Sequence, residues 1–168
     1  ELNRTGLTVF VPGGSEWSDV QTQITLFRAV VAPHHKKETG HEDSGIKTAP
    51  LRRFTVLLTP SQYALETRLK KEFGEIIFIK SSLLSTKEGV KRHLLGASGG
   101  RLRPVSLFIA QGAILPIPVL ETLAAVQAEI RISNFIRAFI LDDITETALA
   151  TQMTLSSLRQ MRLFQQQV

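Results

Sequence analysis

The chain has 168 residues, 43% hydrophobic and 21% charged, a formal net charge of +5 and no cysteine. That length supports one domain, or one with an appendage, around a real core, and the absence of cysteine excludes disulfides, thiol catalysis and cysteine-ligated zinc. No apolar stretch approaches the roughly 18 residues that mark a membrane span, so no span is expected in this chain.

Leu7–Val11 reads as a strand that ends at Pro12-Gly13-Gly14-Ser15. Amides freed by glycine can bind anions, but this stretch lacks the spacing and the lysine of a phosphate-binding loop, and a turn is the better reading. Gln23 to Val31 is expected to be a second strand, with Ile24, Leu26 and Val30 on one side and Trp17 and Asp19 in the linking segment. From 33 to 50 the sequence turns polar, and a long mobile surface loop is expected there. His34, His35, His41, Glu38, Glu42 and Asp43 are metal-ligand types, but ligands must be held in place to bind. No metal and no other cofactor is expected.

Residues 54 to 80 carry the clearest pattern. Phe54–Leu58 is an apolar run of the kind buried on both faces. Thr59, Pro60 and Gln62 make a helix start with a capping box, Leu65, Leu69 and Phe73 recur at helical spacing, and Gly74 is expected to end the helix in the left-handed region. Glu75–Lys80 is then another strand, so the unit predicts a right-handed parallel crossover. A second capping box, Ser85 to Glu88, opens a helix closed by Gly96, followed by a basic linker with Arg101 and Arg103. His93, in that capped helix, is expected to be structural or exposed.

Val105–Ala110 is a further strand, and a helix opens at Pro118 with Val119, Leu123, Val126 and Ile130 on one stripe. Its other side, with Ala125 and Ala128, is small and hardly charged, which predicts cover from this domain or from another chain. In the strand over 134–141, Arg137 interrupts an apolar run and is expected at an edge or against a carboxylate. Asp142 and Asp143 follow at the strand's carboxyl end. There they serve as a ligand site or, as the commoner role, as a helix cap. Ile144 to Phe164 reads as one weakly amphipathic helix, or as two that break at a Thr154 cap. Thr145 to Met161 then has the outline of a degenerate helix-turn-helix, with Leu149, Ala150 and Met153 inside and Arg159 and Arg162 facing phosphate.

The fold class expected is α/β, a mixed sheet with helices on its faces, as a core over 1–141 and a C-terminal helical segment over 142–168. Three leading strands that pair antiparallel, followed by alternating helices and strands, resemble the ribonuclease H-like or actin-like topology. That resemblance implies a nuclease-like or scaffold role, the latter as in bacterial secretion and pilus machines. The first strand, Leu7-Thr-Val-Phe-Val11, lacks the aspartate such nucleases carry, and neither a Gly-x-Ser-x-Gly elbow nor a convergent carboxylate set is present.

Charge gives the remaining signal. Residues 51–110 hold 11 Lys and Arg against 4 Glu, while the flanking thirds are each slightly acidic. Lys70, Lys71, Lys87, Lys91, Arg92, Arg101 and Arg103 are therefore the candidate contacts for phosphate or an acidic partner. The function expected is a non-enzymatic protein-interaction or scaffold module of a larger assembly, with a cytoplasmic location and a partner or self-association through the helix over 119–130. The alternative is nucleic-acid binding through residues 52–103 or the C-terminal segment. The chain opens at Glu1 without an initiator Met, as expected of a processed product or excised piece.

Overall fold

Short apolar runs rich in β-branched and aromatic residues build the sheet: β1 (Leu7–Val11), β2 (Thr55–Leu58), β3 (Ile77–Lys80), β4 (Val105–Ala110) and β5 (Ile136–Leu141). A sixth strand, β6 (Ala150–Met153), joins them. The computed structural model describes residues 6–39, 54–96, 102–141 and 150–160. The strand order is β3-β2-β1-β4-β5-β6. β1 to β5 run parallel, and β6 lies antiparallel to β5 at one edge.

Helices cover both faces, which is why the parallel strands read as nearly continuous apolar runs. Successive side chains alternate between the two sides. Phe10, Val56, Leu58 and Phe78 pack with Val20, Ile24 and Phe27 of α1 (Trp17–Thr39) and Leu69 of α2 (Glu66–Glu72). Val9, Val11, Leu57, Ile79 and Leu107 pack on the opposite side. There they meet Val90 of α3 (Lys87–His93), Leu123 and Val126 of α4 (Ile117–Ile130) and Leu158 of α5 (Leu155–Gln160).

The segment Gln23 to Val31 is helix, not strand. Val20, Ile24 and Phe27 recur at i, i+4 and i+7 and are almost fully buried, while Leu26, needed by a strand reading, is 41% exposed. Because α1 continues to Thr39, residues 33–39 are helical rather than loop. Residues 40–53 lie outside the described residues. Without that strand there is no antiparallel leading trio, the feature on which the ribonuclease H-like resemblance rested. All five leading strands are parallel, and the order reverses between β1 and β4, which is the doubly wound arrangement.

The 54–80 unit forms a parallel pair, β2 with β3. Its helix divides into a 3-10 turn over Pro60–Leu65 and then α2, with the Thr59 and Gln62 capping box at its start. Gly74 is not the left-handed terminator, since among the described residues the glycines with positive φ are Gly14, Gly96 and Gly112. Beyond β3 comes a second 3-10 turn, Ser81–Leu84, and α3 begins one residue later than its sequence suggests. Its cap is Thr86, whose hydroxyl accepts from the Gly89 amide. Among the described residues Arg137 lies neither at an edge nor against a carboxylate. It sits on β5 between β4 and β6, donating from Nη2 to Ser106 Oγ at 3.2 Å, with its guanidinium 5.4 Å from the Phe139 ring centroid.

The C-terminal segment is not wholly helical. Ala150–Met153 hydrogen-bonds to β5 as a strand, so neither one long helix nor a helix-turn-helix forms; pairing with β5 satisfies backbone groups that a helix would have bonded internally. Thr154 does cap the last helix, its Oγ1 accepting from Ser157 N at 3.0 Å.

Candidate functional site

In open parallel sheets, ligands gather outside the carboxyl ends of the strands where the strand order reverses, because the loops there part in opposite directions. Here that point lies between β1 and β4. A cleft of about 630 Å³ opens there between Thr59–Ser61, after β2, and Ile114–Pro118, after β4. Its size is within the range of small-ligand pockets. Every lining residue is uncharged, three are prolines, and Ile114 is 58% exposed.

The glycine loop after β1 is fastened from both sides. The Gly13 amide donates to Gln23 Oε1 at 2.8 Å, while Gln23 Nε2 donates to the carbonyls of Gly13 and Asp19 at 2.8 and 3.1 Å. From the other side Gln62, fully buried, donates from Nε2 to the carbonyls of Pro12 and Gly14 at 2.9 and 2.7 Å. Its Oε1 accepts from Thr59 N at 3.0 Å. A Cβ on Gly13 would lie 2.6 Å from the Gln111 carbonyl oxygen, and Gly14 has φ +80. The two glycines thus serve a close backbone approach and a turn.

The same contacts decide what the cleft can take. An anion site needs free amides pointing at the ligand. At the start of α1 the Gly13 amide is already used, and the Asp19 carboxylate lies 3.4 Å from the Cβ position of Gly14. At the start of α4, Pro118 has no amide hydrogen, and the amides of Val119 and Leu120 donate to the Pro116 carbonyl. With no charged residue in the lining and the Gly13, Val119 and Leu120 amides already engaged, the cleft suits an uncharged, apolar group.

The basic candidates do not form one surface. Lys70 and Lys71 sit on α2, over one face of the sheet, while Lys87, Lys91 and Arg92 sit on α3, over the other. Lys70 pairs with Glu66 at 3.2 Å, and Lys80 reaches the same carboxylate at 3.7 Å. Lys87 and Lys91 are brought together, both on Glu129 of α4. Their hydrogen bonds and charge hold the Glu129 carboxyl below the usual carboxylate range. Arg103 is exposed just before β4, where its amide donates to the Leu95 carbonyl at 2.9 Å. Arg101, Asp142 and Asp143 lie outside the described residues.

Two contacts near the cleft involve residues that sequence reasoning passed over. Tyr63 joins the two 3-10 turns, its hydroxyl 3.1 Å from Ser81 Oγ and accepting from Ser82 N at 3.0 Å. Burial alone would raise this phenol, but the Ser81 and Ser82 hydrogen bonds and the Lys80 charge hold it below its ordinary value. Arg68, on α2, lies with its guanidinium carbon 4.0 Å from the centre of the Trp17 ring. The turn residues before Trp17 and the exposed helical phase of Arg68 give no sign that the two meet.

Strand order and cleft place the chain among doubly wound α/β proteins. Compared with protein-family models and with curated proteins, its sequence matches none. No helix among the described residues is long and apolar enough to cross a membrane.

Proposed function

We propose that the chain is a non-catalytic interaction module of a larger assembly, which receives an apolar group of a protein partner in the switch-point cleft beside α4. The observation that carries this reading is the uncharged, proline-walled cleft at the position where this fold places ligands. Proline walls need no amide partner and lose little conformational freedom on binding, so they suit a preformed apolar seat. Pro118 belongs both to the cleft and to the exposed side of α4, where Ala124 and Ala128 are also open to solvent. That gives the partner a surface continuous with the cleft.

The test is an NMR titration of the isotope-labelled chain with N-acetyl-leucine methylamide and, separately, with ATP and inorganic phosphate. The reading expects amide shifts concentrated in 59–61 and 114–118 with the leucine probe, abolished by Ile114→Glu. Shifts at 12–16 with ATP or phosphate, and none with the apolar probe, would replace it with a nucleotide-binding function.

A further inference from the structure

Arg68 differs from the other cations of the basic segment in being held without being neutralised. Lys70, Lys80, Lys87 and Lys91 each lean on a carboxylate, whereas Arg68 lies on an indole and forms no ion pair among the described residues. A guanidinium stacked on a ring keeps its N–H donors in the plane, directed outward at the edge, and is ordered before any ligand arrives. Trp17 is itself half-buried against the aromatic core, which makes it a fixed platform. Lys71, one turn along α2 on the same side, is exposed as Arg68 is.

We infer that Arg68, ordered by Trp17, and Lys71 form a clamp for the carboxylates of an acidic segment of a protein partner. This rests on the interaction-module reading and adds a second contact to it, since Trp17 opens the helix that follows the β1 loop and Arg68 lies one turn beyond the Pro60–Leu65 turn. Fork geometry matches a carboxylate with two parallel hydrogen bonds. A nucleic-acid strand fits less well. Such binding needs a track of several phosphate contacts, yet the α3 cations lie across the sheet.

The chain has a single tryptophan, and it is the platform residue. Titration of the full chain with a short oligoglutamate peptide, followed by Trp17 emission, should give a saturable change that weakens as salt rises. Arg68→Gln should weaken binding by about tenfold or more, the scale of one charge-assisted hydrogen bond, Arg68→Lys nearly as much, and Lys71→Ala by less. Trp17→Leu, followed by calorimetry, should weaken binding with Arg68 still present, which a mere bystander ring would not do. Ile114→Glu should leave the titration unchanged; that separates failure of the cleft from failure of the clamp. A flat emission trace, equal affinity for Arg68→Gln, or tighter Arg68-dependent binding of a single-stranded oligonucleotide than of oligoglutamate would each overturn the inference.

Discussion

The loops after β1 and β4 meet at the same point of the sheet and solve opposite problems. Residues 12–14 are sealed: two glutamine side chains occupy the Gly13 amide and the carbonyls of Pro12, Gly13 and Gly14. Residues 114–118 are open, with an exposed isoleucine and four apolar neighbours lining a cleft. The contrast teaches that a glycine-rich turn at the end of a first parallel strand is no evidence of a phosphate site unless its amides are free. Here the sealed loop packs against the backbone of 111–113, while the cleft is lined by residues 59–61 and 114–118.

The largest effect should come from unfastening the sealed loop. Gln62→Ala leaves the Thr59 amide and two carbonyls without their partners, at about 1–3 kcal/mol for each group left buried and unpaired. Urea melts should show this loss, while a melt unchanged from wild type would mean that water takes over the amide's role. Gly13→Ala ranks next at about 1–3 kcal/mol, because its methyl meets backbone of 111–113 that no rotamer change can move. Ile114→Glu should change stability by only about 0.5 kcal/mol either way while removing the leucine-probe response, which places function on the open loop and stability on the closed one.

The smallest effect lies away from both loops and serves as a control. The Glu129 carboxyl is held below its ordinary value by Lys87 and Lys91, so its contribution to stability is present above the unfolded-state value and disappears as pH falls through the folded one. Glu129→Gln should therefore be slightly less stable than wild type near neutrality and indistinguishable from it in acid. A gap that persists in acid would show that the loss is one of packing.

Much of the fold was legible because local signals agreed with the tertiary outcome. The capping box at Thr59 and Gln62, the buried Leu69 and the parallel β2–β3 pair all follow from residues 54–80. The first helix was misread because Ile24, Leu26 and Val30 mimic a period of two. The helical period shows only when Val20 is counted with Ile24 and Phe27, and Val20 belongs to what looked like a linker. β6 had no signal of its own, since Ala150-Thr-Gln-Met153 is not an apolar run and becomes a strand only by pairing with β5. Gln62 was readable as a cap, but its bonds to Pro12 and Gly14 join positions 50 and 48 residues apart, beyond any local pattern. Lysine spacing likewise could not show that α2 and α3 stand on opposite faces.

The central place of β1 bears on how the chain acquires its structure. Both neighbours of β1 come much later in the sequence: Val9 pairs with Thr55, and Leu7 with Val105. Closing such long loops must precede the reward of the pairing, so the middle of the sheet belongs to the slow, non-local class of contacts. During synthesis, which runs from the N-terminus, Phe10 and Val11 emerge long before β4 exists to cover their strand. α1, which follows β1 directly and stacks Phe27 on Phe10 at 4.4 Å, is an early partner that can shield that apolar strand until the rest of the sheet arrives.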